Sequence, residues 1–273
     1  MYKAFQLDFS TFNIAELQPY LAYGKQLYNQ QKASVHKSLS SYLDPDGLLD
    51  GSKIEEDWFS QKNFSFDMFL SHSHKDEEIM IAFAGFLKAE LGLSSFIDSQ
   101  IWGYSGELQP KIDKACCKHD DVRNTWDYDD RNVSTSYVHN MLMVALTKMM
   151  DSIECFFFAQ TAASTLKSQA TQTMSPWIYS ELSISRMLRP VPKREEKVML
   201  FESGGQLRTF SLEAQMKFNP PMDHLVKLSW YDIVDWVGIV KRNHQDGNNV
   251  HPLDVLYKLK GLYKEYSGIS REM

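Results

Sequence analysis

The sequence predicts an α/β fold: a parallel five-stranded sheet with helices on both faces. Two observations carry this. Short, almost continuously apolar runs recur along the chain, as at 66–70 and 153–159, interrupted only by Asp67 and Glu154, and strands without polar alternation are typical of parallel sheets buried on both sides. Between these runs lie stretches whose apolar residues fall at helical spacing, and alternation of strand and helix implies crossover connections. The layout is flavodoxin-like, and ligands in such folds bind outside the carboxyl ends of the strands.

Residues 1–62 look unlike the rest. They are polar and rich in Gln, Ser and Tyr, with apolar residues at Ile14, Leu17, Leu21, Leu27 and Tyr28, then at Val35, Leu39 and Leu43. This is helical spacing, and Asp44-Pro45-Asp46-Gly47 is a turn signal that stops the second helix. The expectation is an N-terminal helical extension, packed on the main domain or on a partner.

The α/β pattern proper spans 63–245, with strands expected at 66–70, 95–98, 153–159, 197–201 and 225–228. Ile79, Phe83, Phe86, Leu87 and Leu91 mark the helix after the first strand, which Gly92 ends. Another helix is expected over 138–150. Ser175 suits an N-cap and Pro176 a first helical residue, and that helix reaches about Leu188 before Pro190-Val191-Pro192 breaks the chain. Ser229, with Asp232 three residues on, caps a helix carrying Ile233, Trp236, Val237 and Val240. Residues 246–273 hold a last helix, from Pro252 to about Tyr266. The stretch 119–137 interrupts the alternation. It contains Asp120, Asp121, Asp127, Asp129 and Asp130 without EF-hand spacing, and reads as a solvated insertion.

With 273 residues, 43% of them hydrophobic, the chain can bury a full core. A net charge of −6 gives no electrostatic reason for nucleic-acid binding. The three cysteines, Cys116, Cys117 and Cys155, show no disulfide-framework spacing and point to a reducing compartment. The vicinal pair reads as small helical residues. The first residues lack a signal-peptide core, and no apolar run approaches the ~18 residues a membrane span needs, so a cytoplasmic protein is expected.

Two stretches carry the chemistry. Phe66-Asp67-Met68-Phe69-Leu70-Ser71-His72-Ser73-His74-Lys75-Asp76 leads an apolar strand into a donor-rich loop, with Ser71 placed at the sheet's edge. Ser175-Pro176-Trp177-Ile178-Tyr179-Ser180-Glu181-Leu182 sets Trp177 and Glu181 one turn apart on one helix face. Glu181 reads as a functional carboxylate or as a solvated helix residue, and Trp177 as a site residue or as core packing. Asp98 either faces a ligand or caps its loop. His72 and His74 are close but lack a third ligand at metal spacing, and no Gly-rich phosphate motif is present. The loops to inspect are 71–78, 99–110 and 160–176.

These residues resemble the TIR (Toll/interleukin-1 receptor) domain family over roughly 64–240. The 66–76 stretch looks like its first box, D-x-F-[IL]-S-[HY]-S-x-K-D. Ser95-Phe96-Ile97-Asp98 looks like the second strand, 101–110 like the BB loop, and Trp177-Ile178-Tyr179-Ser180-Glu181-Leu182 like the W-x-x-x-E-L element of catalytic members. The segment between the second and third strands is longer than usual in the family, and the terminal helices have no counterpart in the minimal domain. The resemblance implies either an adaptor that self-associates or an enzyme that splits NAD⁺ at the nicotinamide–ribose bond. The enzymes act often in bacterial anti-phage defence, of the Thoeris-like type, depleting NAD⁺ or releasing an ADP-ribose signal.

On the catalytic reading NAD⁺ is substrate and no cofactor is needed. Glu181 is then catalytic, and Ser71, His72, Ser73, Lys75, Asp98, Trp102 and Trp177 contact substrate. Ser71, His72, Ser73 and Lys75 would donate to pyrophosphate or ribose. Trp102, Gly103, Tyr104 and Gly106 give the 99–110 loop an aromatic, flexible surface, suited to stacking on a base or docking a second copy. A phage-derived activator or a downstream effector is the further partner implied.

Overall fold

The computed structural model describes residues 3–31, 38–59, 65–121, 123–166, 171–188 and 217–262. Its strands are β1 (Lys3–Asp8), β2 (Met68–Ser71), β3 (Ser95–Ile97), β4 (His119–Asp120), β5 (Thr125–Trp126), β6 (Cys155–Gln160) and β7 (Val226–Leu228). Its helices are α1 (Ile14–Leu17), α2 (Leu21–Gln31), α3 (Gly51–Phe59), α4 (Glu77–Leu91), α5 (Ser99–Cys116), α6 (Tyr128–Ser152), α7 (Pro176–Met187), α8 (Trp230–Gln245) and α9 (Pro252–Leu259). Five strands form one sheet in the order β3-β2-β6-β1-β7, every neighbouring pair parallel. The short β4–β5 hairpin stands apart. Among the described residues, no helix is long and apolar enough to cross a membrane.

The expected fold class is what the chain adopts, and the strand period explains its two cores. Side chains alternate across a strand, so Phe157 of β6, Phe5 and Leu7 of β1, and Met68 and Leu70 of β2 enter one core, under α4, α8 and α9. Phe156 and Phe158 of β6, Phe69 of β2 and Phe96 of β3 enter the other, under α3, α5, α6 and α7.

Residues 1–62 are not an appendage to this fold. Lys3–Asp8 is an interior strand, paired to β6 on one side and β7 on the other, with Phe5 and Leu7 both fully buried. The strand's signal was the alternation Phe5-Gln6-Leu7, too short to stand out beside the helical spacing that follows. The helix expected from Ile14 divides into α1, a 3₁₀ turn at Gln18–Tyr20, and α2, Pro19 supplying the break. α2 lies against α4 at a glycine crossing. A Cβ on Gly24 would sit 2.0 Å from the Ile81 carbonyl oxygen, and one on Gly85 would sit 2.5 Å from that of Tyr20. The second expected helix is only a 3₁₀ turn, Leu39–Tyr42, where it is described. It is followed by α3, which the spacing did not reveal.

The other differences lie on the second face. The 99–110 segment is not a loop: it belongs to α5, with Pro110 inside the helix. Gly103 and Gly106 read as breakers, but a glycine costs a helix only about 1 kcal/mol against alanine. Burial of Leu108 and Ile112 on one helical face outweighs that. Asp113, at 3% exposure, further clamps α5 to α6, accepting from Gln109 at 2.7 Å and Ser134 at 2.5 Å. The 119–137 stretch is a hairpin followed by the first turns of α6, which begins ten residues before its expected start. Its acids serve this geometry. Asp127 caps α6, accepting from the amides of Asp129 and Asp130, and Asp130 accepts from the amide of Lys118. The expected strand at 197–201 lies outside the described residues. The last helix is described as far as α9.

Candidate active site

Four of the expected site residues meet at the carboxyl edge of the sheet. Ser71 ends β2, His72 follows it, Asp98 follows β3, and Glu181 projects from α7. α7 is set as the sequence suggested: Ser175 accepts from the Ile178 amide at 3.3 Å and Pro176 is the first helical residue. Ile178 and Leu182 are buried in the second core, which turns the same side of the helix, with Glu181, toward the sheet.

The cluster is closed from solvent. Ser71 and Glu181 are 0% exposed, Asp98 3% and His72 4%. Ser71 Oγ donates to Glu181 Oε2 at 2.5 Å. His72 Nδ1 stands 2.5 Å from Asp98 Oδ1, and the His72 amide donates to Asp98 Oδ2 at 3.4 Å. The carboxyl groups of Asp98 and Glu181 are neighbours in the cluster. Three buried polar atoms of the cluster, Glu181 Oε1, His72 Nε2 and Asp98 Oδ1, complete no hydrogen bond among the described residues, Asp98 Oδ1 having only its close charge contact with His72. Asp98 stands at the N-cap of α5, yet its side chain makes no capping bond there. Its carboxylate is turned to His72 instead, and accepts from that residue's amide in the neighbouring loop. Glu181 is not a solvated helix residue.

Electrostatics follow from this burial. Removal from water, then the neighbouring Asp98 charge, push the Glu181 carboxyl well above its ordinary value, and the Ser71 hydrogen bond opposes this without reversing it. Burial disfavours the His72 cation, but the Asp98 carboxylate beside it prevails, with help from the Leu70 carbonyl and Glu77, and raises its pKa. Burial works against the Glu77 anion as well. Hydrogen bonds from Tyr28 and Ser99 outweigh it and hold Glu77 below its ordinary value. Burial and the Asp98 neighbour thus favour the neutral form of Glu181, and the Asp98 contact favours the protonated form of His72.

The remaining expected residues lie elsewhere. Ser73 stands at the N-cap of the 3₁₀ turn His74–Asp76 without a side-chain capping bond, and Lys75 is exposed on that turn. Trp177 is half-buried against His139 of α6, ring centroids 4.9 Å apart. That contact is packing between helices. The backbone of Trp102 is in α5, and its side chain lies outside the described residues. Sequence reasoning missed the contacts that brace the cluster. Thr161 Oγ1 donates to Asp76 Oδ2 at 2.6 Å, tying the turn after β6 to the loop after β2. Gln6 donates to Gln160 between β1 and β6. Asp76, the last residue of the first box, was the one available signal for the first of these.

In chemical terms the cluster offers a carboxyl group with one oxygen unpartnered among the described residues, a hydroxyl donor on its other oxygen, and an imidazole beside a carboxylate with its Nε2 likewise unpartnered. Among the described residues, no group of His, Cys, Asp and Glu is placed to hold a metal ion. Compared with known proteins, the chain matches no family model, no curated protein and no solved structure.

Proposed function

We propose that this protein cleaves the nicotinamide–ribose bond of NAD⁺, as an NAD⁺ nucleosidase or ADP-ribose cyclase of the TIR type. The observation that carries this reading is Oε1 of Glu181, unpartnered among the described residues, buried at the carboxyl edge of a parallel sheet and presented by the W-x-x-x-E helix. Ordinary glycosidases need a second carboxylic acid to protonate the leaving oxygen. Nicotinamide departs as a neutral ring from a cationic ribosyl nitrogen, so no general acid is required. One ionised carboxylate holds the ribose hydroxyls and stabilises the positive charge that develops on the ribosyl carbon. Ser71 orients Glu181 for this through its 2.5 Å bond. NAD⁺ is substrate, and the reaction calls for no resident cofactor. The setting that accords with this chemistry is bacterial anti-phage defence in the cytoplasm, with NAD⁺ loss or an ADP-ribose product as the signal. A phage-derived activator, a downstream effector, or self-association through TIR surfaces and the 99–110 segment would control it.

A second reading, a non-catalytic TIR adaptor acting by association, draws on one observation. Glu181 is fully buried, and a ligand reaches it only by displacing the side chains that cover it. Incubating the purified chain with NAD⁺ and separating the products by chromatography distinguishes the two. Free nicotinamide from the wild type, absent with Glu181→Gln, supports the enzyme. Concentration-dependent oligomers with NAD⁺ left intact support the adaptor.

A further inference from the structure

The cluster contains two carboxyl groups and few donors. Asp98 and Glu181 are in contact, and both are buried. Two hydrogen bonds serve them among the described residues, from Ser71 Oγ to Glu181 and from the His72 amide to Asp98, and the His72 ring stands in close contact with Asp98. Both His72 contacts fall on one carboxylate, that of Asp98. The other faces it with Oε1 unpartnered. Two carboxylates side by side, shielded from water and facing one imidazole, repel each other, which favours a proton on one of them. The charged groups that act on this cluster are Asp98 after β3, His72 after β2 and Glu77 at the start of α4, with His74 acting on Glu77 in turn.

We propose that the site selects a cationic ligand by charge exchange: a positively charged ring enters beside Glu181, the Glu181 proton leaves to solvent, and the Glu181 carboxylate becomes the ring's counter-charge while the Asp98–His72 pair stays in place. The identity of the ligand rests on the NAD⁺-cleaving reading. One positive charge enters and one proton departs, so the net charge of the buried site is unchanged. A neutral ring gives no such compensation, because it leaves Glu181 protonated and unable to stabilise a ribosyl cation. Asp98 is a positioning residue in this account. It holds His72 and keeps the proton on Glu181 until a cation replaces it.

The test is calorimetric titration of the full chain, in buffers of different ionisation enthalpy, with two uncleavable dinucleotides. One is carba-NAD⁺, with a cationic ring, and the other its reduced form, with a neutral ring. Near neutral pH, carba-NAD⁺ is expected to release about one proton per molecule bound and the reduced form none. The cationic form is expected to bind about tenfold more tightly or better. Glu181→Gln should bind without proton release. Carbon-13 NMR of the glutamate-labelled free protein, with Glu181→Gln for assignment, should find Glu181 protonated at neutral pH. In Asp98→Asn it should titrate at lower pH than in the wild type, which a merely structural role for Asp98 would not produce. Binding of carba-NAD⁺ without proton release, or an ionised Glu181 in the free wild type, overturns the inference while the NAD⁺ reading stands. If neither dinucleotide binds, the NAD⁺ reading falls and the inference with it.

Discussion

Leu7→Ala is the substitution that most sharply tests the place of the N-terminal strand. Leu7 is fully buried in β1, between β6 and β7, within the core beneath α4, α8 and α9. Truncation removes the transfer free energy of three carbons and leaves a cavity beside its cross-strand partners Ala159 and Leu228, which the sheet cannot close by collapse because β1 is hydrogen-bonded on both edges. Buried Leu→Ala changes cost about 2–5 kcal/mol, and a rigid, doubly paired site belongs in the upper half of that range. A domain of this size has about 5–15 kcal/mol in total. The variant should therefore lose a large share of its stability, and a chain starting near Gln61, which lacks β1 altogether, should not fold. Urea denaturation followed by far-UV circular dichroism measures the loss as a lower midpoint at unchanged slope. A shift of less than about 0.5 kcal/mol, the usual effect of a surface substitution, would refute the placement of β1 inside the sheet.

Gly85→Ala should destabilise by about 1–3 kcal/mol through overpacking, despite the helix propensity it gains, because its Cβ meets backbone of Tyr20 and Gly24 rather than a movable side chain; the same titration reads it, and a stabilised variant would show that α2 does not cross α4 there. Glu181→Gln should change how stability depends on pH. The folded-state pKa of Glu181 is raised, so its contribution is greatest below the ordinary value of 4.5 and is lost as pH rises from there toward the folded value. The Gln variant, which does not titrate, should gain on the wild type as pH increases through that window. A stability difference flat from pH 4 to 8 would mean that Glu181 is ionised in the folded protein.

The sheet was legible because buried parallel strands leave continuous apolar runs, and those at 66–70 and 153–159 are nearly pure. β1 was not, because buried Gln6 interrupts its short apolar run, and its parallel partners lie far away along the chain. α5 was misread from its local residues: Gly103, Gly106 and Pro110 argue for a loop, and the Asp113 network to α6 that overrides them is a long-range feature. Of the site, Ser71 and Glu181 could be named because a strand end and a capped helix start fix where side chains go. The pairing of Asp98 with His72 depends on how two loops from adjacent strands face each other, which no spacing records. Trp177 shows the limit of helical-face reasoning. One turn from Glu181 it shares a face in projection, but α6 lies close enough for His139 to take its ring.

The central claim is that Glu181 stabilises a ribosyl cation during cleavage of NAD⁺. The measurement that tests it most directly is the single-turnover rate of nicotinamide release, with enzyme in excess over NAD⁺, for the wild type and Glu181→Gln side by side. Removing one such electrostatic stabiliser typically slows the chemical step by about 10²–10³-fold, and the account predicts a loss of at least that size with the fold retained. Equal rates in the two proteins would contradict it.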